Sequence, residues 1–126
     1  MGKNDPKSNI EWLAEPEPHN YPAACSYLSL VCDPVLATKH VQQLRAAPMA
    51  AFKAKDIFRA SGLSLLGVSN SHVKKNHEKI AAGEALSPLL LLRDATHSRV
   101  IVADGYHRLC AVYQYDEDAE IPCKIV

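Results

Sequence analysis

The chain reads as a mixed α/β (α+β) protein: a small mixed sheet with helices, preceded by a helical N-terminal segment. Three observations give that reading. Up to Gly83 the apolar residues recur mostly at helical intervals. From Pro88 they come in short unbroken runs, Leu89-Leu90-Leu91-Leu92 and Val100-Ile101-Val102-Ala103, the pattern of strands buried on both faces. The order from there is strand, turn, strand, helix, strand, with turn signals between the pieces.

Composition narrows the function classes. With 126 residues, 48% hydrophobic and 22% charged, the chain fits one soluble domain with a core of ordinary size. Fourteen Lys and Arg balance 14 Asp and Glu, so no cationic excess supports duplex binding, and nucleic acid is not an expected partner of this chain by itself. The run through Leu89–Leu92 is far shorter than the roughly 20 apolar residues a bilayer span needs. No apolar stretch follows Met1-Gly2, and Asp5-Pro6 argue against lipidation, so a cytoplasmic location without membrane attachment is expected. Cys25, Cys32, Cys110 and Cys123 form no C-x-x-C pair and are expected as reduced core cysteines.

The elements follow in order. Residues 1–19 are polar, carry Pro6, Pro16 and Pro18, and read as an extended arm that Trp12 tacks onto the body. Residues 20–126 then form one domain, helical over 20–48 and sheet-containing over 49–126. Asn20 before Tyr21-Pro22 predicts a capped helix start, and Ala24, Tyr27, Leu28 and Val31 supply its stripe. A strand over 27–32 is the alternative. Asp33-Pro34 starts a second helix with Val35, Leu36, His40, Val41 and Leu44 on its apolar side, His40 being structural rather than a ligand. Residues 49–55 suggest a strand with Met49, Ala51 and Phe52 inward; Asp56 then caps a short helix that Gly62 closes. Residues 63–68 are ambiguous. Ser69-Asn70-Ser71 caps a helix over 72–82, and Gly83 stops it. Strands at 89–92 and 100–103 flank a turn at 94–98. A helix over 106–115 with Leu109, Val112 and Tyr113 inward, an acidic turn at Asp116-Glu117-Asp118 and a strand over 121–126 complete the chain.

The chemistry concentrates at Asp104-Gly105-Tyr106-His107-Arg108, where a strand runs straight into a helix. The first N–H groups of a helix lack internal partners and lie at the positive end of its dipole. Gly105 lets a ligand approach the main chain there. His107 and Arg108 in the first turn oppose the dipole by roughly 0.3–1 kcal/mol each, a penalty that a bound anion reverses. The competing reading is that Asp104 caps the helix itself, with His107 and Arg108 directed to solvent or to the 116–118 turn. On residue types the two stand level. His72 and His77, five apart, do not share a helical face as a metal pair would, and Lys74, Lys75 and Lys79 read as a solvated basic face that a nucleotide tail could use.

The segment from His77 through Pro88, the motif Val102-Ala103-Asp104-Gly105-Tyr106-His107-Arg108-Leu109 and the closing Ile121-Pro122-Cys123 together resemble the ParB/sulfiredoxin superfamily, in the manner of a bacterial ParB-like domain. The resemblance covers a little under half of the chain. It implies a ParB/sulfiredoxin-like fold and a nucleotide or phosphate-bearing small molecule at the helix start. In that superfamily partition proteins carry Gly-Glu-Arg-Arg with CTP, sulfiredoxin Gly-Cys-His-Arg with ATP, and a free-serine kinase group Asp-Gly-His-His-Arg. By resemblance Gly105, Tyr106, His107 and Arg108 bind phosphate, Asp104 and His107 are the candidate catalytic residues, and Asp104 is the candidate ligand for Mg²⁺ brought with a nucleotide. Tyr106 stands where sulfiredoxin has its cysteine, which argues against sulfinic-acid reduction, and Glu78, Glu84 and Asp56 are candidate bases for phosphotransfer. A non-catalytic regulatory or interaction module with the same fold is the alternative, and a homo-oligomer or a partner protein is open in either case.

Overall fold

The computed structural model describes residues 9–126; Pro6 and the Met1-Gly2 start lie outside the described residues. Helices α1 (Asn20–Val31) and α2 (Pro34–Ala46) lead into strand β1 (Ala50–Lys53) and helices α3 (Ala54–Ser61) and α4 (Ser71–Ala82). Strands β2 (Leu89–Asp94) and β3 (Arg99–Asp104) are joined by a single 3₁₀ turn at Ala95–His97; helix α5 (Tyr106–Tyr115) and strand β4 (Glu120–Ile125) follow. The result is a mixed α/β architecture, with the sheet ordered β1-β4-β2-β3, its central β4–β2 pair parallel and both outer pairs antiparallel.

The four leucines of β2 organise the packing. Successive side chains on a strand point to opposite faces. Leu89 and Leu91 therefore enter one core with Ile57 of α3, Val73 and Ile80 of α4, and Leu109 and Val112 of α5. Leu90 and Leu92 enter the other with Ala24 and Leu28 of α1 and Ala37, Val41 and Leu44 of α2. Burial of each such leucine contributes roughly 1.5–3 kcal/mol, so an unbroken apolar run is what a central strand covered on both faces requires. The β2–β3 register shifts between Leu90 and Leu91, and beyond the shift Leu90 faces Asp104, the last residue of β3. A bulge of this kind bends a strand and re-aims its end.

The described part of the arm, from residue 9 on, lies against the body. Trp12 bridges Leu86 in parallel, with Leu13 N–H donating to the Leu86 carbonyl and Leu86 N–H to the Glu11 carbonyl, both at 2.9 Å. Ile10 and Trp12 pack on the α3/α4/α5 core. Lys124, only 5% exposed, donates through Nζ to the Arg45 carbonyl at 2.9 Å and lies 3.4 Å from the Glu15 carboxylate.

Several local expectations are corrected. Residues 27–31 are helical, but the buried stripe of α1 is Tyr21, Ala24 and Leu28, while Tyr27 and Val31 are exposed. In α2 Val41 and Leu44 are buried as expected and Ala37 joins them, while Val35 and Leu36 face out. Both helices carry apolar residues outside the buried face, so spacing alone does not settle which face turns inward. Asn20 does not cap α1: it is the first helical residue, buried, and accepts from Glu17 N–H and from the Ser87 hydroxyl. Asp56 sits inside the first turn of α3 rather than capping it, and Ala51 and Phe52 of β1 are exposed. Cys110 and Cys123 are buried, whereas Cys25 and Cys32 are half-buried; all four are free thiols.

Candidate functional site

The motif sits where β3 hands over to α5. Gly105 is the N-cap residue with φ +113°, a left-handed conformation that side chains disfavour. A Cβ there would lie 2.7 Å from Leu89 Cγ and 3.0 Å from Arg108 Nη2. Glycine is thus demanded by the turn and by packing against β2, and ligand approach is not needed to explain it.

The capping reading of Asp104 does not hold. No side chain caps α5, so Asp104 leaves the helix-start N–H groups alone. Its Oδ2 instead accepts from Arg108 Nη2 at 2.9 Å, one helical turn on, and both side chains are only 17% exposed. Arg108 also reaches the Pro88 carbonyl at 3.4 Å, while its Nε is buried without a protein partner. Arg108 therefore points neither to solvent nor to the 116–118 turn. The acidic turn is engaged elsewhere: Asp118 pairs with Lys55 at 2.7 Å.

His107 lies against His72 of α4, the ring centroids 4.8 Å apart and the planes tilted by 41°. Burial, the nearby His72 and the Arg108 guanidinium together hold the His107 pKa below the usual imidazole value, so its neutral form is favoured at neutral pH. Tyr106 sends its hydroxyl to the Ser64 carbonyl, away from the helix start, and burial raises its pKa. What Tyr106 presents at the helix start is its backbone N–H.

These residues form one wall of a cleft of about 290 Å³. The facing wall is α4, through His72, Lys75, Asn76 and Lys79; the arm closes one side with Glu17 and His19, beside Asn20 and Ser87. Asn70 fixes the start of α4 by accepting from the N–H groups of His72 and Val73 at 2.9 and 3.2 Å. The cleft thus gathers Lys75, Lys79, Arg108 and three histidines against two carboxylates, one of which is taken up by Arg108. Wider grooves lie elsewhere, one of about 510 Å³ beside α3, but its cations are already matched: Lys55 by Asp118 and Arg59 by Asp56.

The structure therefore brings Asp104, Gly105, Tyr106, His107 and Arg108 to a common cleft, and separates them from the three candidate bases. Asp56 and Glu78 line other grooves, and Glu84 lies just beyond α4 outside the cleft. Glu17, His19 and His72 were not singled out for the cleft by sequence. His72 and Lys79 are seven apart on one helical face with Lys75 close by, a signal open to periodicity; Glu17 and His19 arrive through the long-range contacts of the arm and carry no local signal. Among the described residues no group of three or more His, Cys, Asp or Glu side chains is arranged to hold a metal ion. A protein-only Mg²⁺ site does not fit, whereas a Mg²⁺ carried by phosphates needs only one or two carboxylates, and Asp104 and Glu17 are those lining the cleft. No family model matches this chain, and the comparisons with curated proteins and solved structures return no match.

Proposed function

We propose that the chain is a ParB-like domain that binds a nucleotide or another phosphate-bearing small molecule against the start of α5. The observation that carries this reading is the uncapped helix start opening into a cleft with Lys75, Lys79, His72, His107 and Arg108 around it. Unpaired N–H groups and the helix dipole favour an anion there by about 0.3–1 kcal/mol when exposed and up to about 2 kcal/mol when partly buried, before any side chain adds a charge-assisted hydrogen bond. The order α4, Gly83, β2, turn, β3, Asp104-Gly105, α5, β4 is the one on which the resemblance to the superfamily rests.

Phosphotransfer is the most concrete reaction open to such a site, with Glu17 or Asp104 as the carboxylate nearest the ligand. One observation favours the alternative, a binding or regulatory module without chemistry: Asp104 is held in an ion pair by Arg108, which limits its freedom to act as a base.

A thermal-shift panel of ATP, ADP, CTP, GTP and inorganic phosphate, with and without Mg²⁺, tests the binding reading. A ligand that binds only the folded state raises the melting temperature through RT ln(1 + [L]/Kd). A rise with at least one of these ligands, lost in Arg108→Ala, is the expected result. No rise at millimolar ligand with both proteins folded removes the anion reading and leaves the interaction module.

A further inference from the structure

The contact between His72 and His107 links two helices across the cleft, and the Asp104–Arg108 motif does not account for it. The rings come from α4 and α5, whose separation is set by Val73, Ile80, Leu109 and Val112 in a shared core, so the contact is built into the packing. The cleft around it is also lined by Lys75 and Lys79 on α4, Arg108 and Tyr106 on α5 with the Tyr106 ring 5.5 Å from that of His107, Asp104 at the end of β3, and Glu17 and His19 on the arm. Three fixed cations, Lys75, Lys79 and Arg108, line the cleft with two carboxylates, and Asp104 is spent on Arg108. A proton added to His107 is opposed by burial, by the neighbouring His72 and by the Arg108 guanidinium.

We propose that a dianionic oxyanion, such as the terminal group of a phosphate monoester, enters this cleft together with one proton from solvent, which the His72–His107 pair accepts. The inference rests on the anion reading above and adds to it a binding residue from α4, His72, and a dependence of affinity on pH. An opposite charge within about 4–6 Å favours the protonated ring, and a second proton on a ring in contact with the first is opposed by like charge, so one proton is taken up rather than two. The depressed pKa of His107 agrees with a ring that is neutral until an anion arrives. Because linkage is reciprocal, an anion that raises the pKa of the pair binds more tightly as pH falls.

The test uses sulfate, which stays dianionic across the range of interest, so that all proton uptake belongs to the protein. Histidine ring resonances of the full chain are followed from about pH 5 to about pH 8, the window in which imidazole titrates, in sulfate and in chloride of matched ionic strength. The expected result is a rise of about one pH unit in the titration midpoint of the pair, equivalent to sulfate binding about tenfold tighter at the acid end. His40 and His97, outside the cleft, serve as controls and move no more than in chloride. In His72→Gln, at an exposed position of α4, most of the pH dependence is lost while the amide spectrum stays folded. Sulfate that perturbs the amides of residues 105–108 without moving the ring midpoints overturns the proton linkage and leaves the anion site standing. A His72→Gln protein that keeps the full pH dependence overturns the role of the pair. No perturbation at any pH removes the anion reading and this inference together.

Discussion

Gly105 carries two constraints on one atom. A side chain there must accept φ +113° and push into Leu89. The left-handed backbone costs roughly 1–2 kcal/mol and overpacking about 1–3 kcal/mol, so Gly105→Ala is expected to lower stability by about 2–5 kcal/mol in urea denaturation. A change below about 0.5 kcal/mol would show that the turn relaxes without cost. His107 gives a pH-dependent counterpart. Its pKa is lower in the folded state than in the unfolded chain, where it titrates near 6.5. The unfolded chain therefore takes up the proton first as pH falls. The contribution of His107 to stability is complete above about pH 6.5 and is lost on acidification through the folded-state pKa. His107→Gln is expected to flatten the stability profile between about pH 7 and pH 5; an unchanged slope would mean that the folded protein protonates this ring as readily as the unfolded one does.

At the scale of elements, the site is a product of two helix starts and a strand end. Asn70 secures the start of α4 with two hydrogen bonds, one of them to His72 itself. Asn70→Ala is expected to cost about 1 kcal/mol in stability and to weaken phosphate binding by loosening His72 and Lys75; a stable variant with undiminished affinity would place the ligand away from α4. The sequence marked this helix well because its signals are local: Asn70 ahead of it, Gly83 after it, and Val73 and Ile80 seven apart on its buried face. The same holds for β2, β3 and α5, whose bounds follow from apolar runs and the Asp104-Gly105 break. Where the phase of a helix depended on its partner, local pattern was insufficient. Leu30, Val35 and Leu36 are apolar yet exposed, while Ala24 and Ala37 are fully buried beside Leu28 and Leu44, a choice of face that the spacing of apolar residues alone leaves open. The Asp104–Arg108 pair is an i, i+4 contact reachable from spacing, but neither the capping reading nor the anion reading paired the two side chains.

The whole molecule explains why the cleft could not be read off the motif alone. One wall is α5, the other is α4, and the arm supplies the side through Glu17 and His19 after Trp12 and Leu13 engage Leu86. Contacts of that kind join residues some 70 positions apart, as between Ser87 and Asn20 or Glu17, and depend on tertiary packing, not on any short pattern. Zero net charge over the chain coexists with a locally cationic cleft because the carboxylates are deployed elsewhere: Asp118 on Lys55, Asp94 on His97 and Arg99, Glu15 on Lys124. The most direct test of the anion site is amide chemical-shift mapping of the ¹⁵N-labelled chain during titration with inorganic phosphate. Saturable shifts centred on the N–H groups of Gly105, Tyr106, His107 and Arg108, with a second set on α4 near His72 and Lys75, are the expected result. Shifts confined to other surfaces, or none at millimolar phosphate, would contradict the site.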